Sequence, residues 1–382
     1  MNVLIITTAG FRTLPVLRCL SGIGANVYIM SISKAYAIRF SRHCRELIQI
    51  DKKQLEDTSD ELIKKIEEYS RYKSIEIIIP AGLEATIFLS KIKHRLKQFL
   101  LFPAAHYETI ERLNNKWTFY EFLSANKIPT PETNLIKEMN DVFSLDIEYP
   151  VLGKPVDGAG GRGIKVLNST DELIHYARDI FSKRYRSFIV QEYISRGYDI
   201  DLSVLCRNGK IIAWTIQRRR DDGVIEFLEN NEVLSIGERI ARLTSFTGVA
   251  HFDMRFDEKD GRIKVLECNP RFWDSLLASK WAGVNFPYIG ILIAKGEPFV
   301  SDIKYKQIRY MDPFKLLKNL LLFKIPFGNI ETVNMRSLID ALLDPVAELM
   351  CTPFFQDLQK KILHIPLFCR SKIIRDSRIL RF

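Results

Sequence analysis

No two of the six cysteines in this 382-residue chain stand in a CxxC spacing. Cys19, Cys44, Cys206, Cys268, Cys351 and Cys369 are scattered, which argues against a zinc ribbon or a dense disulfide framework, so they read as reduced thiols. No apolar run reaches the roughly 20 residues that a helix needs to cross a bilayer. The chain passes from Asn2 straight into an apolar, strand-like run with no basic region and no cleavage site, so a cytoplasmic location is expected. Two common phosphate-binding signatures are also missing. No Gly-Lys-Ser/Thr follows a glycine cluster, as a Walker A loop requires. The first turn, at Thr8, Ala9 and Gly10, is not followed by GxGxxG, which leaves a nicotinamide-dependent dehydrogenase a weak rival. Neither zinc spacing nor an RNP-like aromatic strand supports nucleic-acid binding, so a net charge of +10 decides little alone.

What is present suits a multidomain enzyme. The length suggests two or three domains, and 47% hydrophobic residues supply sizeable cores. Residues 2–7 read as a buried strand, 11–22 as a helix and 26–31 as a second strand, a β-α-β start that predicts a parallel sheet. A charged amphipathic helix at 60–69 and a strand at 75–79 continue the pattern. The turn at 80–84 then faces the carboxyl edge of that sheet, where Glu84 either touches substrate or caps the next helix. A helix at 114–125 and a break at Pro129, Thr130 and Pro131 lead into the following region. An amphipathic helix at 171–181, with Leu173, Ile174, Ala177 and Ile180 inward, covers its sheet.

The most informative stretch runs from Phe252 to Trp273. FDMRF (252–256) and RIKVL (262–266) alternate with period two and are joined through Gly261. A three-residue loop of Lys259, Asp260 and Gly261, with Gly261 left-handed, pairs Glu258 with Arg262. It sets Asp253 opposite Glu267 and His251 opposite Asn269. Cross-strand partners lie about 4.5–5.5 Å apart at Cβ, so two carboxylates there repel unless a cation lies between them. Asp253, Glu267 and Asn269 form a sparse set of hard oxygen donors suited to Mg²⁺ and nucleotide phosphates. Cys268 alternates away from that face. An ordinary acidic surface hairpin is the bland alternative.

Upstream, YPVLGKPVDGAGGRGIKV (149–166) places Gly158, Gly160, Gly161 and Gly163 between two apolar strand-like runs, with Lys154 just before them. Glycines let backbone N–H groups approach phosphate oxygens closely, although a flexible edge turn would read the same way. FIVQEYISRGYDIDLSVL (188–205) then supplies a strand, a polar interruption and a second strand carrying Asp199 and Asp201.

Together with Lys116 in NNKWTFYEFL, these pieces resemble the ATP-grasp superfamily, in particular carboxylate-amine ligases related to the synthetase domains of carbamoyl-phosphate synthase. The resemblance covers roughly residues 1–299. It implies an α/β (α+β lobes) architecture with a Rossmann-like pre-ATP-grasp domain at 1–105 and the ATP-grasp domain at 106–299. That domain divides into a first lobe at 106–190, with the glycine-rich loop, and a second at 191–299, with the metal site. A mostly helical extension follows at 300–382.

Carried over residue by residue, Lys116 and Lys154 resemble the two lysines that contact the nucleotide, and Gly158 to Gly163 the loop over its β- and γ-phosphates. Glu192, Tyr193 and Ile194 resemble the hinge that reads adenine through backbone groups, and Asp199 the acceptor for ribose hydroxyls, with Asp201 a weaker alternate. Asp253, Glu267 and Asn269 match the metal ligands, Glu267 bridging two ions. Arg271 matches the arginine that steadies the transferred phosphate, and Arg255 and Arg218 are further catalytic candidates. The implied cofactors are ATP and two Mg²⁺ ions, for which Mn²⁺ would substitute. ATP brings about four negative charges, so cations must stand between it and the acidic residues.

Phosphoryl transfer asks mainly for positioning and charge neutralisation, so the lack of an evident Ser, Cys or His nucleophile is expected. The implied reaction activates a small-molecule carboxylate as an acyl phosphate and joins it to an amine, releasing ADP and phosphate. The alternative is a non-catalytic or regulatory ATP-binding module, or another phosphoryl-transfer enzyme. With one copy of the signature, no glutamine-hydrolysing segment and no biotin-attachment motif, a stand-alone ligase is expected, and a homodimer is compatible with it. Asp274 stands where relatives often carry a small residue; it would bind an amine or cap a helix at 275–281. Beyond residue 300, Phe314, Leu316, Leu317, Leu320, Leu321 and Phe323 alternate with lysines. They suggest a helical appendage or a peripheral membrane contact.

Overall fold

The computed structural model describes residues 1–8, 10–32, 38–156, 161, 163–183, 185–299, 304–326 and 330–351. Gly158 and Gly160 therefore lie outside the described residues, as does Cys369. The chain is a mixed α/β protein with, among the described residues, one parallel and two antiparallel sheets.

The first unit comprises β1 (Asn2–Thr7), α1 (Gly10–Ser21), β2 (Asn26–Ser31), β3 (Cys44–Gln49), α2 (Lys52–Glu56), α3 (Asp60–Tyr72), β4 (Ile77–Ala81), α4 (Leu83–Ile92) and β5 (Leu100–Leu101). Its sheet is parallel throughout, in the order β3-β2-β1-β4-β5. β1 is apolar on both faces because both are covered: Val3 and Ile5 join one core, Leu4 and Ile6 another. The helix expected at 114–125 is α6 (Lys116–Ala125), and a separate helix, α5 (Tyr107–Asn114), precedes it. Asn115 separates them. Its side chain accepts from the N–H groups of Trp117 and Thr118 at 3.0 and 3.1 Å, capping α6 and making Lys116 its first residue.

A four-stranded antiparallel sheet in the order β6-β9-β7-β8 follows. It is built from β6 (Thr133–Ile136), α7 (Met139–Phe143), β7 (Val151–Pro155), β8 (Lys165–Leu167), α8 (Thr170–Ser182) and β9 (Phe188–Glu192). α8 lies across it with Leu173, Ala177 and Ile180 buried, as the periodicity predicts. Gly153 is needed there, since a Cβ would meet the Tyr176 ring at 2.5 Å.

The largest sheet has seven strands. It takes in β10 (Gly197–Asp199), β11 (Asp201–Arg207), β12 (Lys210–Arg219), β13 (Ile225–Phe227), β14 (Gly248–Asp257) and β15 (Arg262–Asn269), with α9 (Asn231–Leu243) between β13 and β14. α10 (Leu276–Ala282), α11 (Phe286–Lys295) and β16 (Arg309–Tyr310) come next, and β16 pairs with β13 as the seventh strand. One face packs on α9 through Leu202, Val204, Phe252 and Met254. The other carries Asp201, Ser203, Thr215, Gln217, His251 and Asp253.

Three helices close the described chain: α12 (Pro313–Leu321), α13 (Thr332–Leu342) and α14 (Pro345–Cys351). This region is tied into the body of the protein. Buried Arg18 of α1 pairs with Glu348 at 2.6 Å and Asp344 at 3.8 Å, and Ser41 Oγ donates to Asp344 at 2.6 Å.

Candidate active site

The β14–β15 hairpin has the expected register at its functional end and a different one at its turn. Asp253 faces Glu267 and His251 faces Asn269. At the turn, however, Asp257 rather than Glu258 pairs with Arg262, so the connection holds four residues instead of three. A β-bulge between Asp253 and Met254 absorbs the difference, setting Leu266 as the extra residue on β15. Its effect is to switch faces. Ile263 and Val265 point into the α9-side core and so does Cys268, a change from odd to even numbers that brings Glu267 to the Asp253 side. Gly261 is left-handed, at φ +70°, as the turn requires.

Two lysines converge on this hairpin from other elements. Lys116, almost fully buried at the start of α6, points its Nζ at Glu267 Oε1 from 3.4 Å. Lys154 on β7 is also buried, and donates to Gln191 Oε1 at 2.6 Å. Gln191 is held in turn through its Nε2, which donates to Thr133 Oγ1 at 2.9 Å. Burial lowers the Lys154 pKa to about 8, against the opposing pull of Glu267 and with Lys116 adding to the shift. Sequence reasoning missed Gln191 and Thr133. The one available signal was a polar residue facing inward in the apolar strand FIVQE.

The residues expected as a hinge, Glu192, Tyr193 and Ile194, run from the end of β9. Lys264 Nζ lies 3.3 Å from both Glu192 oxygens and 2.7 Å from Asp257. Arg255, expected to assist catalysis, reaches this hinge instead: its Nε donates to Ile194 O at 3.0 Å and its Nη1 to Asp199 Oδ1 at 2.5 Å. It therefore fixes the strand that carries Asp199. Arg218 departs further from its expected place. Gln217 turns to the Asp201 side, so its neighbour Arg218 turns to the opposite face, where its guanidinium lies 3.9 Å over the Tyr198 ring. Strand alternation accounts for this, and Arg218 is not brought together with the other candidates.

Two residues beyond Asn269, Arg271 is buried. Its Nη2 donates to Asn269 Oδ1 at 2.6 Å and its Nη1 to Phe272 O at 3.0 Å. Burial, reinforced by Arg12, lowers its pKa to about 10, which leaves it protonated at neutral pH. Asn269 Nδ2 donates to Asp253 Oδ2 at 3.0 Å. His251 lies 3.2 Å from Asp253, bonds Ser203 Oγ through Nδ1 at 2.9 Å and stacks on Trp273. Burial disfavours its charged form, but Asp253 and Asp201 outweigh that and raise its pKa. Burial raises Asp201 as well.

Asp274 does not cap a helix. Ser275 holds the N-cap position of α10, and Asp274 sits 3.6 Å from Arg12 of α1. Ser275 Oγ exchanges hydrogen bonds with the Gln217 amide at 2.9 and 3.1 Å. Glu84, in the first turn of α4, accepts from Thr8 Oγ1 at 2.8 Å. Arg12, Gln217 and Ser275 carried no local sequence signal, since Arg12 reaches Asp274 only through the packing of α1 on α10, and Gln217 of β12 reaches Ser275 only through the tertiary fold. Of the glycine-rich run, Gly161 and Gly163 are described. Both have positive φ, +71° and +80°, between the paired strands β7 and β8.

The donor set fits a hard divalent cation. Two carboxylates, Asp253 and Glu267, project partly exposed from one sheet face with no thiol beside them, and the neighbouring Asn269 amide turns its Oδ1 to Arg271 and its Nδ2 to Asp253.

Residues 113–241 match the family described as RimK-like ATP-grasp domain, and residues 184–312 the family described as ATP-grasp in the biosynthetic pathway with Ter operon. This chain belongs to the ATP-grasp superfamily. Its curated relatives include a D-aspartate ligase from Enterococcus faecium, 26% identical over 54% of this chain and 55% of that protein. A carbamoyl-phosphate synthase from Methanobrevibacter smithii is 23% identical over 61% of this chain and 68% of its own length. This ATP-grasp chain thus spans about half the length of the D-aspartate ligase. Among solved structures, the biotin carboxylase domain of Hydrogenobacter thermophilus 2-oxoglutarate carboxylase, bound to MgADP and bicarbonate, superposes with a TM-score of 0.61. It is 21% identical, with 80% of this chain and 72% of that one covered.

Proposed function

We propose that the protein is a Mg-ATP-dependent ligase that joins a small-molecule carboxylate to an amine. The observation that carries this reading is the face formed by Asp253, Glu267 and Asn269, with Lys116 against Glu267 and buried Lys154 on the neighbouring lobe. Asp253, Glu267 and Asn269 would hold Mg²⁺, which neutralises phosphate charge when bound. The MgADP in the Hydrogenobacter structure and the ligase names of the relatives support this assignment.

Lys116 and Lys154 bind the phosphates, Lys154 oriented by Gln191 and Thr133. The backbone of Glu192, Tyr193 and Ile194 receives adenine and Asp199 the ribose, both steadied by Arg255. Gly161 and Gly163, between β7 and β8, let the backbone approach the phosphates and exclude water. A substrate carboxylate oxygen attacks the γ-phosphorus, the bond to the β-bridging oxygen breaks, and ADP leaves with that electron pair. The amine then attacks the acyl carbon, phosphate departs and the amine proton is lost, leaving an amide. Arg271, protonated and buried, stabilises the charge developing on the transferred group.

The test incubates purified protein and Mg-ATP with pooled acids and amines and follows products by mass spectrometry. A ligase forms ADP, phosphate and a condensed product only when acid and amine are both present. ATP binding without turnover, or a stable phosphorylated product, would refute this reading.

A further inference from the structure

We propose that the C-terminal helices dock the protein on an anionic lipid bilayer, with Leu321, Leu322 and Phe323 at the end of α12 as the inserting tip. This surface is separate from the cleft and goes beyond the ligase reading.

α12 uses its inner face conventionally, burying Pro313 and Leu316 against α13 and packing Leu317 and Leu320 beside them. Its end does not. Leu321 is 69% exposed, Leu322 52% and Phe323 94%, the last the most exposed large apolar side chain among the described residues.

The backbone adds an independent observation. Phe323 closes the helix in the left-handed region at φ +52°, where its N–H donates to Leu320 O and that of Lys324 donates to Asn319 O. Glycine or asparagine is usual at that capping position, because a side chain there costs about 1 kcal/mol. The sequence therefore accepts backbone strain and an exposed aromatic ring at one residue, with little packing among the described residues to offset either. Local rules broken together in this way mark a functional position.

Charge selects the occupant. Lys318 and Lys324 flank the tip and are exposed, and no carboxylate lies between residues 313 and 330. Residues 352–382 follow with seven Lys and Arg against two Asp, so half of the chain's net charge of +10 falls in its last 31 residues. A second copy of the chain would bring like-charged collars together, whereas anionic headgroups neutralise both collar and tail. α12 has nine residues, and no single helix among the described residues is long and apolar enough to cross a membrane. The contact is therefore interfacial, with apolar groups inserted to the acyl boundary and lysines at headgroup level.

Co-sedimentation of the full chain with phosphatidylcholine vesicles, with and without phosphatidylglycerol, tests the proposal. Binding should require phosphatidylglycerol and weaken with salt. The Leu321→Ser, Leu322→Ser, Phe323→Ser triple variant should lose roughly tenfold or more in partitioning, and Lys318→Glu with Lys324→Glu should lose a similar amount. Phe323→Gly separates docking from folding: it relaxes the cap, so thermal stability should hold or rise while vesicle binding falls several-fold. Equal binding to neutral vesicles overturns the proposal, as does a triple variant that binds normally. So does a wild-type dimer that the triple variant converts to monomer without any vesicle binding.

Discussion

Lys154 is the residue at which charge and burial are most finely balanced. Its ammonium is buried beside Lys116, and its pKa of about 8 leaves it protonated at neutral pH and neutral a little above. Nucleotide phosphates favour the ammonium, so ATP binding should raise that pKa and draw in a proton. Affinity for ATP should therefore be steady below pH 8 and fall roughly tenfold per unit above it. Isothermal titration across pH 6.5–9.5 checks this, and Lys154→Met should bind ATP weakly with no pH step. Arg255 offers a contrasting case. Because it holds Ile194 O and Asp199 rather than the Asp253 and Glu267 carboxylates, Arg255→Ala should raise KM for ATP by roughly tenfold with little change in kcat; a selective loss of kcat would instead place it in the chemistry.

At the scale of elements, the β14–β15 hairpin shows how much of the site was legible in the sequence. Period-two alternation and a glycine identified both strands, and the pairing of Asp253 with Glu267 followed from a turn that was one residue too short. The answer held because the Leu266 bulge restores the count, and nothing in RIKVLECN announces a bulge. Faces were harder to assign where no glycine or alternation marked the register, so Arg218 was placed with the site although it lies over Tyr198. Arg12, Gln217 and Ser275 were invisible because their contacts, Arg12 with Asp274 and Gln217 with Ser275, join elements far apart in the chain. Two outcomes follow. Gly261→Ala meets no atom within 4 Å but must hold φ +70°, so urea unfolding should show a loss of about 1 kcal/mol with the site intact. Deleting Leu266 should straighten the ladder and leave Glu267 opposite Asp253, so the lobe should fold and a titration calorimeter should still register Mg²⁺ binding.

For the whole molecule, the Arg18 cluster joins the two ends of the described chain. Arg18 and Asp344 are almost completely buried, and Glu348 completes the group. Truncating one partner of such a pair strands the other's charge away from water, so Arg18→Ala should cost about 3–5 kcal/mol of stability by urea unfolding. α13 and α14 should detach first, visible as new protease cuts between 330 and 351. The same clamp bears on the cleft, because Lys280 of α10 donates to Arg18 O at 2.8 Å and Arg12 of α1 meets Asp274 just before α10.

The Leu266 bulge carries an evolutionary consequence. With Asp257 paired to Arg262, a ladder that kept Leu266 but lost the kink would set Leu266 opposite Asp253 and exchange the inner and outer sets of side chains beyond it. A descendant with a straight outgoing strand must therefore lack one residue between Val265 and Glu267, whatever the length of its connection after Asp257. Gaps beside the acidic residue should accordingly occur independently of gaps at the tip across any lineage that keeps these two carboxylates face to face.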